Sequence, residues 1–134
     1  MKQYLLCFAI LMNSCQSSPE RKATKEECER FRKGSFIQTW QEDTTQYKIE
    51  RNDSIQTEYL GNKGGYIKMK IKWLSACNYE LTFLSQHTID TDSVVNPAEI
   101  RKLDVKILKT RNDSCDIIGS NGIDQMRGVI CVAK

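Results

Sequence analysis

The feature that most limits the fold is an alternation of apolar and charged side chains over Tyr66–Trp73. Ile67, Met69, Ile71 and Trp73 occupy every second position, and lysines fill the positions between them. Because successive side chains of a β-strand point to opposite faces, this period predicts a strand with one buried and one wet face. A sheet with one solvated face is typical of antiparallel architectures.

Similar short segments, separated by turn residues, occur along most of the chain. They predict about eight strands with no helix between them. We therefore expect an all-β fold, an antiparallel meander closed as a small barrel, with a sandwich as the alternative. The other predicted strand faces are Phe36/Gln38/Trp40, Tyr47/Ile49/Arg51, Ile55/Thr57/Tyr59 and Tyr79/Leu81/Phe83, and a long polar loop is predicted over 85–100.

One helix is predicted ahead of the strands. Thr24 and Glu27 have the spacing of a capping box, in which a threonine hydroxyl accepts from the amide three residues later. The helix is expected over Lys25–Lys33, with Gly34 as the glycine that ends it. The folded part would then be a single β domain over residues 24–134.

The N-terminal 14 residues have the pattern of a secretory signal, because the apolar run Tyr4–Met12 is too short to cross a membrane as a helix. Leu11-Met12-Asn13-Ser14-Cys15 resembles a bacterial lipobox, in which cleavage precedes a cysteine that becomes lipidated. This predicts a signal peptide at 1–14, lipid on Cys15 and a polar tether at 15–23. A plain signal peptide is the alternative. The lipid would anchor the protein in the cell envelope, at the outer membrane, on its periplasmic face or at the cell surface.

Four cysteines remain once Cys7 leaves with the signal and Cys15 carries lipid: Cys28, Cys77, Cys115 and Cys131. An even number in an oxidising compartment predicts two disulfides, with three connectivities to consider. No pair has the close spacing of a zinc site. Cys115 and Cys131 are symmetric about Ile123 in a predicted hairpin, so we expect them to face each other and to pair. Cys28 is then left to pair with Cys77.

Composition argues against several classes of function. The formal charge is +3, and its 20 basic and 17 acidic side chains are interspersed, which does not indicate a nucleic-acid partner. His87 is the single histidine, which leaves little material for a histidine metal site or a catalytic triad. Asp90, Asp92 and Glu99 lack the spacing of a calcium loop and are interpreted as solvated. We therefore expect that the protein is not an enzyme and that it binds no metal and no cofactor.

Two groups of side chains are candidates for binding. Trp40, Tyr47, Tyr59 and Trp73 could face a ligand inside the barrel or simply fill it. The lysines of Tyr66–Trp73 are either the wet face of a sheet or a surface for anionic lipid or polysaccharide. The expected function is a lipid-anchored, non-enzymatic binding module for a small apolar ligand. The alternative is a protein–protein module, an enzyme inhibitor or an envelope assembly accessory, acting through the loop at 85–100.

One stretch of the chain resembles a known family. The motif is C-x-x-F-x-x-G-x-F, then R, then Q-x-E, then W-x-x-x-C-x-Y-x-L, and its positions here are Cys28, Phe31, Gly34, Phe36, Arg51, Gln56, Glu58, Trp73, Cys77, Tyr79 and Leu81. It is similar to a group of small bacterial secreted proteins and lipoproteins with a lipocalin-like (calycin) meander and no settled function. The resemblance implies that fold and supports pairing of Cys28 with Cys77. It supplies no catalytic residue.

Overall fold

The structure is a computed structural model that describes residues 21–61, 64–89, 94, 96–99 and 101–134. The predicted signal peptide and Cys15 lie outside these residues. The elements are helix α1 (Lys25–Glu29) and strands β1 (Gly34–Trp40), β2 (Gln46–Arg51), β3 (Ile55–Tyr59), β4 (Gly65–Trp73), β5 (Asn78–Thr88), β6 (Leu103–Arg111), β7 (Ser114–Ser120) and β8 (Gln125–Val132). A 3₁₀ turn at Pro97–Glu99 lies in the β5–β6 connection.

The eight strands form a closed barrel. Each strand pairs antiparallel with the next along the chain, and β1 also pairs with β8. Closure leaves neither the first nor the last strand as a free sheet edge. The predicted all-β antiparallel barrel is confirmed, and the sandwich alternative is wrong.

Strand β4 has the faces that its alternation predicts. Ile67 and Ile71 are buried, whereas Lys70 and Lys72 are exposed. The inward side chains of β4 meet those of β5, since Ile71 lies opposite Leu81 in the ladder. Together with residues of β1, β2, β6, β7 and β8 they form one hydrophobic core inside the barrel.

Helix α1 begins as predicted but ends earlier. The Glu27 amide donates to the Thr24 hydroxyl, and the Glu27 carboxylate accepts from the Thr24 amide, which completes the capping box. The helix ends at Glu29 rather than at Lys33. Gly34 has a positive φ of 130°, but it begins β1 instead of ending the helix. The chain leaves the helix early because Phe31 turns into the end of the barrel, where it is fully buried.

The disulfide Cys28–Cys77 is confirmed, with the two Cα atoms 5.2 Å apart. It joins α1 to the turn between β4 and β5. The cysteines are 49 positions apart, and closing a loop of that length in the unfolded chain corresponds to about 4 kcal/mol of stability in the chain-entropy account.

The second predicted disulfide is wrong, because Cys115 and Cys131 are both free thiols. In the β7–β8 ladder Cys115 lies opposite Ile130, and Cys131 lies opposite Ser114. A shift of one residue places two side chains on opposite faces of a sheet. Cys115 therefore points into the core, whereas Cys131 is exposed on the outside.

Candidate functional site

The two ends of the barrel differ. We call the end where β1, β3, β5 and β7 finish the mouth end, and the opposite end the helix end. Helix α1 and the residues after it cover the helix end: Cys28 is bonded to Cys77, and the Phe31 ring lies 5.9 Å from the Phe36 ring. Lys33 adds an ion pair of 2.9 Å with Asp53 in the β2–β3 turn. Among the described residues, this cover hinders approach to the interior from the helix end.

A buried arginine organises the helix end. Arg51 is 5% exposed, and its guanidinium donates to the Phe31 carbonyl at 2.9 Å, the Gln56 side-chain oxygen at 2.7 Å and the Tyr79 hydroxyl at 2.6 Å. The guanidinium also lies 4.6 Å from the centre of the Tyr79 ring. All three acceptors are neutral, so among the described residues no carboxylate hydrogen-bonds this buried positive charge directly.

A carboxylate, that of Glu58, is connected to Arg51 through one intervening side chain. The Gln56 amide nitrogen donates to the Glu58 carboxylate at 2.7 Å, so Gln56 connects Arg51 to Glu58. Burial raises the pKa of Glu58, and the Gln56 hydrogen bond and the positive charge of Arg51 oppose that rise. Part of the Glu58 side chain remains accessible. The interior thus holds an acid whose ionised form is disfavoured, which is typical of functional positions.

A cavity of about 280 Å³ opens at the mouth end. It exists because β5 and β6 pair over only four residues, from Asn78↔Lys106 to Leu81↔Leu103, so β5 runs past the start of β6. Apolar side chains form its walls and polar ones its rim: Met69, Leu81, Leu103 and Met126, then Glu99, Arg101 and Asn121. Met69 lies directly opposite Gln56 across the β3–β4 ladder, so the cavity adjoins the Gln56–Glu58 pair.

The predicted loop over 85–100 is therefore shorter than expected, because β5 continues to Thr88. The strand continues because residues 85–88 pair with the first residues of β4. Of the connection that remains, Glu99 and Arg101 line the cavity.

The four aromatic candidates do not come together. Trp40 and Tyr47 lie toward the mouth end and pack against the core, and the Tyr47 hydroxyl donates to Asp43 at 2.6 Å. Trp73 lies at the helix end, with its ring 4.7 Å from the Tyr79 ring. None of these three belongs to the wall of the mouth cavity. They fill the barrel, which is the second of the two expectations for them.

The prediction that Tyr59 faces a ligand inside the barrel is wrong. Its hydroxyl donates to the Glu50 carboxylate at 2.9 Å, and the Lys48 ammonium lies 5.4 Å from the ring centre. Glu50 and Lys48 alternate with the inward residues of β2, so this cluster lies on the outer face. On β3 the inward side chains are Gln56 and Glu58, and Tyr59 lies on the outer face with Ile55 and Thr57.

Sequence reasoning therefore missed the functional potential of the interior polar residues. Gln38, Arg51 and Gln56 are buried, and Glu58 is partly buried. Three of them, Arg51, Gln56 and Glu58, are the R and Q-x-E positions of the resemblance, and charged and amide residues on predicted strands are the signal that could have found them.

The remaining candidates lie on the surface. His87 is exposed on β5, and its ring lies 5.6 Å from that of Tyr66. Asp90 and Asp92 lie outside the described residues, and Glu99 belongs to the cavity rim. Within the part of the chain that the structure describes, no three metal-ligating side chains come together. The same part contains no helix long and apolar enough to cross a membrane.

No protein-family profile, curated protein or solved structure matches this chain. The function is therefore argued from the site alone.

Proposed function

We propose that this protein is a non-enzymatic binding module that holds a small, mainly apolar ligand at the mouth end of its barrel. The observation that supports this most directly is the difference between the two ends. The helix end is covered by α1 and fixed by a disulfide, whereas the mouth end has a cavity with apolar walls and a polar rim. Apolar walls with a few polar groups are typical of small-molecule sites.

The cavity limits the size of the ligand. Its volume of about 280 Å³ is at the lower limit of sites for drug-sized molecules, which are about 300–1,000 Å³. Leucine and methionine side chains favour an aliphatic or aromatic body, and methionine adapts to irregular shapes. Glu99 and Arg101 at the rim can each hydrogen-bond a polar group that stays near water.

The proposed location is the cell envelope, with lipid on Cys15 as the membrane anchor, at the outer membrane, its periplasmic face or the cell surface. Two observations support it. The sequence Ser14-Cys15 ends a short apolar signal. The disulfide between Cys28 and Cys77 fits an oxidising compartment.

Native mass spectrometry of the full protein, extracted from membranes, tests the binding proposal. We expect the natural protein to carry a small molecule and Leu103→Trp to lose it, because an indole at Leu103 fills the cavity. Leu84→Trp is the matched control, since Leu84 is 52% exposed and lies outside the cavity. A molecule that is retained by Leu103→Trp, or lost from both variants, would contradict the assignment of the cavity.

A second candidate function is protein–protein recognition at the same end. Ile89, Val94 and Ile123 are 75%, 57% and 67% exposed, and all three lie in connections at the mouth end. Exposed large apolar side chains grouped at one end are typical of interaction surfaces. In-cell crosslinking should then capture an envelope protein, and Ile123→Glu should abolish the crosslink. A crosslink that Ile123→Glu leaves unchanged would contradict recognition through this end.

A further inference from the structure

A groove on the outer face of β6, β7 and β8 is lined mainly by cationic side chains. The residues before α1 lie against β6, where the Ala23 amide donates to the Leu108 carbonyl at 3.1 Å. The groove beside them has a volume of about 380 Å³. Its lining consists of Arg21, Lys22, Leu108, Lys109, Asp116 and Arg127.

The positive charge of this groove is only partly neutralised. Asp116, its carboxylate, accepts from both terminal nitrogens of Arg111 and lies 3.9 Å from the Lys109 ammonium. Arg21 pairs with Glu27 at 2.6 Å. Lys22 and Arg127 belong to no ion pair within the ranges that the structure describes. The lining of the groove thus carries four cations and one carboxylate, and the groove favours an anion.

An apolar hollow continues from the groove. It has a volume of about 360 Å³, shares Asp116 and Arg127 with the groove, and has Thr39 and Val129 of the outer face in its lining. An anion that fits both parts would carry its charge at one end and an apolar portion at the other. A phospholipid has this arrangement, with its phosphate next to glycerol and acyl chains.

We propose that this groove binds the phosphate headgroups of anionic lipids in the membrane that carries the Cys15 anchor. The inference rests on the proposed lipidation. Arg21 follows Cys15 by six positions, and a chain of that length spans at most about 20 Å, so the face that carries Arg21 and Lys22 stays near the headgroups. Basic side chains close to an anionic membrane are attracted to it, and this attraction adds to the membrane binding that the lipid provides.

The lysines of β4 provide an internal control. In an eight-stranded barrel β4 lies four strands from β8, on the opposite side. Lys70 and Lys72 are exposed there. The two basic surfaces cannot face one membrane together, so the inference predicts which set of lysines the membrane covers.

The experiment uses the full protein, processed in cells and reconstituted into vesicles of phosphatidylcholine alone or of phosphatidylcholine mixed with phosphatidylglycerol. Lysines are labelled with an amine reagent, and the labelled peptides are quantified by mass spectrometry. We expect labelling of Lys22 and Lys109 to fall severalfold in the anionic vesicles, and labelling of Lys70 to stay the same. High salt should remove the difference, because it screens exposed charges. In Lys22→Gln/Arg127→Gln the protection of Lys109 should disappear, whereas the matched Lys70→Gln/Lys72→Gln variant should keep it.

Three results would overturn the inference. Equal labelling of Lys22 and Lys109 in both vesicles excludes headgroup binding in the groove, and protection of Lys70 instead assigns the membrane to the opposite side. Equal protection by inorganic phosphate, added to phosphatidylcholine vesicles, would show a soluble-phosphate site. The mass of the Cys15 peptide separates the two proposals: without lipid on Cys15 the anchoring proposal fails and the inference fails with it, whereas lipid without protection overturns the inference alone.

Discussion

Replacement of the buried arginine should weaken the fold and change its pH dependence. In Arg51→Met the apolar stem is kept, but the three neutral acceptors at Phe31, Gln56 and Tyr79 lose their donor. A buried polar group left unpaired costs about 1–3 kcal/mol, so three of them lower the free energy of unfolding at neutral pH by at least about 3 kcal/mol before any offset. Part of this loss is offset, because the variant no longer has the desolvation cost of a buried guanidinium and methionine is apolar.

The pH dependence follows from Glu58, whose pKa is raised by burial. A carboxyl with a raised pKa in the folded state binds its proton more tightly there than in the unfolded chain. Stability contributed by this group therefore falls as pH increases from the ordinary value of 4.5 through the folded pKa. Arg51 lowers the pKa of Glu58, so its removal should extend this loss of stability to higher pH.

Urea denaturation followed by tryptophan fluorescence, with the disulfide intact, measures both effects. Arg127→Met is the control, because Arg127 is exposed on the outer face and should change stability by under about 0.5 kcal/mol. Arg51→Met/Glu58→Gln should recover part of the loss at neutral pH, since the carboxylate is gone. The reasoning would be refuted if Arg51→Met and Arg127→Met were equally stable with the same pH profile.

Three further predictions concern the core and the thiols. Ile71→Ala should cost about 2–5 kcal/mol in urea denaturation and Lys70→Ala under about 0.5, because Ile71 is buried and Lys70 is exposed; equal losses would contradict the strand assignment. Iodoacetamide at neutral pH should modify exposed Cys131 in the folded protein but not Cys115, because burial raises the pKa of Cys115 to about 12; failure of Cys131 to react without reductant would contradict its free thiol. Gly128→Ala should lower the melting temperature, since the added carbon would lie 2.8 Å from a β1 carbonyl oxygen and from an indole ring; an unchanged melting temperature would contradict that close packing.

The fold could be predicted because the strand signals are local. The alternation over Tyr66–Trp73 shows which residues share a face and also which face is buried, since one face is apolar and the other carries lysines. Ile55–Tyr59 has the same alternation, but the residue types on its faces do not indicate which face is buried. Its β-branched and aromatic residues suggest the core, yet they lie outside, because Arg51 requires Gln56 as an acceptor in the interior. Alternation shows which residues share a face; the choice of face depends on partners from other strands.

The prediction of a second disulfide is wrong because of the geometry of the β7–β8 hairpin. Symmetry of Cys115 and Cys131 about Ile123 assumes a hairpin centred on that residue. The Asn121 side-chain oxygen instead accepts from the amides of Ile123 and Asp124, at 2.9 and 2.8 Å, and fixes a four-residue connection. The ladder is then centred between Gly122 and Ile123, half a residue earlier. That small displacement moves one cysteine to the other face.

The bond between Cys28 and Cys77 has a mechanical consequence. A pull on the N-terminal side of the chain reaches Cys28 after less than one turn of α1 and passes through the disulfide to the β4–β5 turn. The load then falls on β4 and β5, which share the longest ladder of the barrel. Force along the chain therefore cannot peel α1 away and uncover Arg51 while the bond is intact. Reduction would redirect the same force to the short helix and β1, so resistance to stretching should depend on the redox state.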